Sequence, residues 1–294
     1  MSEHSHNHHG HAPHLDFESP QMAAYAELEA EVFIGLTAKA VAVLNQVCAR
    51  DGVNVRRVLD IGSGPGVGTC SLAERFDPAR VVAVDASATM LSYVTARAER
   101  LGLAARIETR RADLPDDFAI LDAADVVWAS MALHHIGDEA AALGEIRRLL
   151  RPGGHLALVE MGEPVRVVGH DADLGRPELW ERLDAASVAW FADMRADLPG
   201  TTKSADYPTM IAAAGFELVA HELLTVVLDA PLDLRARQFA HRHLRQTQAR
   251  LADHANAQDL EALDDLLDES SERSILHRDD IEMRASRHLY VARA

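Results

Sequence analysis

Apolar positions along this chain recur with two different periods, and the changes between them lay out the elements. From Pro20 to Arg50, the residues Ala23, Leu28, Val32, Leu36, Ala40, Val43 and Leu44 return near the helical period, which predicts helix weakened only at Gly35. Short apolar runs then alternate with helical stretches. Arg57–Ile61 reads as a first strand and Val67–Phe76 as a helix. Arg80–Val84 (RVVAV) is a second strand, after which Ser87 caps a helix lined by Met90, Leu91, Val94 and Ala98. Arg106–Arg110, Asp125–Trp128 and His155–Glu160 supply three more strands, with a helix over Glu139–Leu150 broken by Pro152, Gly153 and Gly154. Near-continuous apolar strands between helices imply a parallel sheet covered on both faces. Beyond it the rhythm changes. Phe216–Leu228 reads as a long strand and Arg287–Ala292 as a closing one, with helical inserts at about 165–205 and 232–285.

The first strand runs into the most informative turn of the chain, VLDIGSGPGVG over Val58–Gly68. Glycines at alternate positions, Gly62, Gly64 and Gly66, strip side chains from a turn where a ligand must approach the backbone, although a tight structural turn uses the same residues. A dinucleotide fingerprint, G-x-G-x-x-G, would put its third glycine where Val67 stands. Asp60 ends the strand and would point into the site. A carboxylate there repels a pyrophosphate and tolerates a cationic or amino-acid-bearing ligand. Asp85, at the end of the second strand, is placed to accept both ribose hydroxyls of an adenosine, a device that nicotinamide-dependent enzymes share.

The acid-x-Gly-x-Gly-x-Gly pattern resembles motif I of the class I S-adenosylmethionine (SAM) methyltransferases. Three further segments extend the resemblance in the same order. Arg111-Ala112-Asp113-Leu114-Pro115 resembles that family's adenine-binding turn. Val127–His135, ending Leu133-His134-His135, resembles the segment after strand four in the ubiquinone/menaquinone-biosynthesis type. Leu150-Arg151-Pro152-Gly153-Gly154 resembles the turn before strand five. The resemblance implies an α/β fold: a Rossmann-like, seven-stranded, mostly parallel sheet with helices on both faces, an antiparallel last strand and helical lid inserts. It divides the chain into a tail (1–15), an N-terminal helical lid (16–50) and a methyltransferase domain (51–294). It implies SAM as cofactor, bound by Asp60, Gly62, Ser63, Gly64, Gly66, Asp85, Ala86, Met90, Ala112, Asp113, Leu114, Ala129, Ser130 and His134. In that set Asp60 holds the amino group through water, Asp113 accepts the adenine amine, and Ala112 and Leu114 flank the ring.

Methyl transfer from a sulfonium is an in-line displacement, so the protein mainly positions the reactants and removes a proton when the acceptor is a hydroxyl. His134, His135 and Glu160 are the candidate bases, by their place at the ends of strands four and five. In the resembling family such histidines also pack beside the cofactor without acting as base, and His135 reads equally as a residue packing or capping the next helix. Met22 and Tyr25 are candidates to close over SAM. Trp180, Trp190, Phe191, Tyr207 and Met210 line an apolar pocket or belong to plain core. The expected acceptor is a small molecule methylated on oxygen first, as in secondary metabolism. Protein, nitrogen and carbon acceptors are alternatives, although no Asn-Pro-Pro-Tyr motif follows strand four, where Trp128-Ala129-Ser130-Met131 stands. A non-catalytic SAM-binding or scaffold protein is a reading of another class. An NAD-dependent oxidoreductase is another, disfavoured by Val67 and by the Asp113-Leu114-Pro115 turn.

Charge narrows the partners. Asp and Glu number 46 against 29 Lys and Arg, a formal charge of −17 that repels nucleic acid and anionic lipid. The basic run Arg235–Arg250 reads as a solvated helix face. Two cysteines, Cys48 and Cys70, lack metal spacing, and with no membrane-length apolar run and no signal peptide they point to a cytoplasmic protein. His4, His6, His8, His9, His11 and His14 crowd a tail expected to be disordered, able to bind divalent metal non-specifically but offering no closed site. No resident metal is assigned, and a homodimer is left open.

Overall fold

The computed structural model describes residues 18–169, 174, 176–195 and 206–294; the histidine-rich tail and parts of the first insert lie outside them. Ser19 caps α1 (Pro20–Val32), its hydroxyl accepting from the Met22 amide at 3.3 Å, with Pro20 at the first helical position. The single N-terminal helix expected from the sequence is two. α1 ends at Phe33 and α2 (Ile34–Arg50) leaves at 65° to it. Phe33 is buried, and its ring meets Phe239 edge-on at 5.3 Å, so packing at the corner overrides the continuous helical pattern. Among the described residues no single helix is long and apolar enough to cross a membrane.

Strands and helices then alternate: β1 (Arg57–Ile61) and α3 (Val67–Arg75), β2 (Arg80–Asp85) and α4 (Ala88–Arg100), β3 (Ile107–Arg111) without an α-helix, then β4 (Ala124–Ser130) and α5 (Glu139–Leu149). β5 (Leu150–Met161), β6 (Arg166–Val168), α6 (Leu179–Arg195), α7 (Tyr207–Ala213), β7 (Glu217–Leu228), α8 (Leu234–Arg250), α9 (Ala257–Leu267) and β8 (Glu282–Arg293) complete the chain. The sheet order is β3-β2-β1-β4-β5-β8-β6, with β7 pairing the other side of β8. β1 to β5 run parallel, and β8 is antiparallel to β5, β6 and β7. The eighth strand, beyond the seven expected, is the three-residue β6, which continues the edge of β5 along β8. Pro152, Gly153 and Gly154 do not separate helix from strand. They form an irregularity inside β5, where the register against β4 shifts between Ala124 and Val126.

Alternation along the strands sorts the core to two faces. Val58, Trp128, Ala157, Val159 and Leu289 pack with α2, α3 and α8, while Leu59, Val127, Leu156, Leu158 and Tyr290 pack with α5 and α7. α1 packs Tyr25, Leu28 and Val32 on the first of these faces and is also held by charge. Glu27 and Glu31 both meet the buried Arg97 of α4, Glu31 also meets Arg235 of α8, and Glu29 meets Arg287 of β8.

β1 lies between β2 and β4, so the connections leave its carboxyl end in opposite directions and open a crevice there. The turns bounding that crevice touch: a Cβ on Gly62 would lie 2.4 Å from the Ala132 Cβ, and Gly62 has φ +65°. Gly52 has a similar φ of +69° with open space around it. Both Gly→Ala changes therefore carry the left-handed backbone cost of roughly 1–2 kcal/mol, and Gly62→Ala adds a clash. Chemical denaturation is expected to show the larger loss for Gly62→Ala; equal losses would mean that the two turns do not meet.

Candidate cofactor and active site

The carboxyl ends of β1 to β5 form one rim. The turn after β1 is tied over β2 by the Ser63 amide, which donates to the Val84 carbonyl at 3.0 Å. Asp85 closes that link from the other side, accepting from the Gly64 amide and the Ser87 amide, each at 2.9 Å. The segment after β3 joins through the Ala112 amide, which donates to the Asp85 carbonyl at 3.1 Å. Asp113 stands in the next turn with its carboxylate exposed, its amide donating to Asp117 Oδ2 at 2.9 Å, and Leu114 beside it is half-buried. Ala86 is exposed at the rim and Met90 is buried on α4. Gly64, Asp85, Ala112 and Asp113, expected from the sequence at the cofactor, thus lie along one rim.

Asp60 lies at its floor, 2% exposed. Its Oδ2 accepts from the Thr69 hydroxyl at 2.5 Å, and among the described residues no cation lies within ion-pair distance. Burial, with Asp85 adding a like charge, pushes this carboxyl up to about 7 in spite of the Thr69 hydrogen bond. Ser63 Oγ is buried beside it with no hydrogen-bond partner, and the side-chain position of Gly64 looks into open space. An orphaned hydroxyl, an unpaired buried carboxylate and a vacant approach to the backbone suit a ligand carrying both an ammonium and hydroxyl groups. They fit SAM. A pyrophosphate would meet Asp60 as a repelling charge.

On the β4–β5 side the structure brings two of the three candidate bases together. β4 ends at Ser130, with Ala129 fully buried behind it. Met131 turns the chain with φ 54°, its amide bound to the Val159 carbonyl at 2.8 Å, a strained left-handed conformation that nothing in the sequence announces. The one-turn helix Leu133–His135 follows. Glu160, 1% exposed, accepts from the Leu133 amide at 3.1 Å and pairs with His134 Nδ1 at 2.7 Å. An ionised carboxylate can only accept, so Nδ1 carries the proton and Nε2 is the basic nitrogen of His134. His135 is exposed, its ring tilted against that of His134 at 4.2 Å between centroids. It does not cap the next helix; Asp138 does, accepting from the Ala141 amide at 2.9 Å.

The lid candidates separate. Tyr25 stacks on Phe239 of α8 and its hydroxyl lies 3.1 Å from His243 Nδ1. Met22 is half-buried at the start of α1. Trp180 and Trp190 are buried on the α2–α3–α8 face, and Phe191 lies 6.3 Å from the His134 ring. Tyr207 and Met210 belong to the α5–α7 face instead, where the Tyr207 hydroxyl donates to Glu139 at 3.1 Å. Sequence reasoning missed Thr69, although its position on the first turn of α3 facing Asp60 was readable. It also missed Glu18, whose carboxylate accepts from the Ala88 and Thr89 amides and so caps α4 beside Asp85. Among the described residues no three His, Cys, Asp or Glu side chains cluster as metal ligands.

A family model described as a methyltransferase domain matches residues 58–154, from β1 to the irregularity in β5. The demethylmenaquinone methyltransferase of Thermus thermophilus is 34% identical over 176 residues, covering 58% of this chain and 78% of that enzyme. This chain belongs to the class I SAM-dependent methyltransferases. The trans-aconitate 2-methyltransferase of an Azoarcus species is 36% identical over 147 residues, or 47% of this chain. The chain spans about half or less of the length of several such relatives, 55% for the Azoarcus enzyme. A Bacillus halodurans crystal structure described as a methyltransferase shares the fold, with a TM-score of 0.50 at 20% identity over 86% of this chain and 97% of that one.

The position of Asp60 has a consequence for stability. An Asp whose folded pKa is raised from 3.8 to about 7 destabilises the fold only where the unfolded chain is ionised. The penalty is absent below about pH 4, grows through the window up to about 7, and is full above it. Asp60→Asn removes the charge and keeps an oxygen for Thr69. The variant is expected to melt higher than wild type at pH 8, with the gap closing by pH 4. A gap independent of pH would mean that Asp60 is not the titrating group.

Proposed function

We infer that the protein transfers the methyl group of SAM to an oxygen of a small-molecule acceptor, with His134 as general base and Glu160 as the residue that orients it. The observation that carries this reading is the buried His134–Glu160 pair, 2.7 Å apart, on the same rim as the acid–glycine turn. When bound, SAM supplies a methyl carbon already activated by its sulfonium. Asp60 and Ser63 Oγ would hold the amino-acid end, Asp85 the ribose hydroxyls, and Ala112, Asp113 and Leu114 the adenine. His134 Nε2 takes the proton from the acceptor hydroxyl. Glu160 keeps Nδ1–H in place and stabilises the imidazolium that results. Glu160 also fixes the height of the histidine through the Leu133 amide, so one carboxylate sets both tautomer and position.

Two further facts support a small-molecule acceptor. The relatives above are named for demethylmenaquinone and trans-aconitate, both small molecules. The net charge of −17 disfavours a nucleic acid. With an acceptor found by screening phenols and hydroxy acids, His134→Gln is expected to lower kcat about a hundredfold or more while leaving the KM for SAM near wild type. Glu160→Gln should lose less rate but also thermal stability, because it supports the Leu133–His135 turn. A His134→Gln variant with full activity would rule out His134 as the base.

A further inference from the structure

Away from the cofactor crevice, α1, α6, α8 and β8 meet around a second group of polar side chains. The Tyr25 hydroxyl donates to His243 Nδ1, and the Val165 carbonyl accepts from the other ring nitrogen, so His243 has both nitrogens occupied and stays neutral. Burial, with Arg250 and Arg287 nearby, pushes the imidazole down to about 4. Arg287 is answered: its Nη2 lies 3.3 Å from Glu29 Oε1 and its Nη1 donates to the Ser286 carbonyl at 2.8 Å.

Arg250 is answered only at a distance, by the charge of Glu29 and by Tyr25. Its guanidinium lies 4.9 Å from the ring centroid of Trp190. Its Nε is sealed from solvent with no hydrogen-bond partner, and among the described residues no carboxylate comes within ion-pair distance. The indole Nε1 of Trp190 is likewise buried without an acceptor. Two arginines against one glutamate leave the group with one positive charge in excess. Its position in the last turn of α8 explains why a cation is tolerated there, but not why its Nε and the indole N–H beside it have no acceptor. Buried donors without partners are costly and rare, and a guanidinium is shaped to bind a carboxylate in a forked pair. The residue after Trp190 is Phe191, which reaches His134.

We propose that the acceptor carries a carboxylate, bound by Arg250 and the Trp190 indole N–H, which holds its reacting hydroxyl toward His134. This rests on the methyl-transfer reading above, extending it from the base to the other end of the substrate. The specificity-determining residue is Arg250. An acceptor whose acid is capped as an amide loses the ion pair while keeping its shape.

The test uses full-length protein saturated with S-adenosylhomocysteine. The probes are 4-hydroxybenzoate, 4-hydroxyphenylacetate and 4-hydroxycinnamate, each with its primary amide, titrated by thermal shift and calorimetry. At least one acid is expected to bind about tenfold or more tightly than its amide, as a charge-assisted pair requires. Arg250→Gln should abolish that preference with S-adenosylhomocysteine affinity unchanged, which also shows that the variant folds. Arg250→Lys should retain part of it, since the charge survives and the fork does not. Equal binding of acids and amides, no binding of any acid, or a preference that survives in Arg250→Gln would each overturn the proposal. Failure of wild type to bind S-adenosylhomocysteine would instead remove the methyl-transfer reading. A bound cofactor product with no acid preference removes only the carboxylate anchor.

Discussion

A carboxylate buried without a cation governs the architecture of the crevice. Asp60 sits at the end of the central strand with one hydroxyl for company, and burial there leaves it half-protonated near neutrality. The fold does not relieve this cost internally. Instead the turn passes over the acid on three glycines, Ser63 leaves its hydroxyl unused, and Asp85 fastens the turn to β2 with one bond to each oxygen, leaving a second lone pair on each. Such an arrangement is stable enough to fold and is completed by a ligand that brings positive charge and hydroxyl groups. A buried acid at this position separates SAM from a dinucleotide more firmly than glycine spacing does.

The opposite side of the rim follows a different rule, in which the buried carboxylate is answered on both oxygens. Glu160 satisfies the Leu133 amide and His134 at once, and the strained Met131 is held by Val159. Rigidity on this side lets a base be aimed, while the incompleteness of the other side lets a cofactor bind. α1 is held by both charge and packing: its glutamates reach α4, α8 and β8 through arginines, while Tyr25, Leu28 and Val32 pack on the core.

The parts legible in the sequence were those governed by local rules. Apolar runs such as Arg80–Val84 announced the parallel strands, and Gly62, Gly64 and Gly66 with Asp60 and Asp85 announced the crevice, because backbone geometry there admits few residues. Pairings between distant segments were not legible. Nothing local in Phe33 says that Phe239 will turn the helix, and nothing in Pro152-Gly153-Gly154 distinguishes a strand irregularity from a helix stop. His134 and Glu160 were both visible as candidates, but their union depends on β4 and β5 being neighbours in register. Arg250 read as a member of a solvated basic helix. Only the packing of α8 against α1 and α6 makes it a half-buried cation, and composition carries no trace of that.

Isothermal titration of the wild-type protein and Asp85→Ala with S-adenosylhomocysteine and with NAD examines the crevice most directly. S-adenosylhomocysteine should bind wild type and NAD should not compete, because Asp60 accommodates an ammonium and repels a pyrophosphate. Asp85→Ala should weaken the nucleoside by more than about tenfold, the loss of two hydroxyl acceptors in a buried setting. NAD binding as tightly as S-adenosylhomocysteine, or an affinity indifferent to Asp85, would contradict the assignment of this rim to SAM.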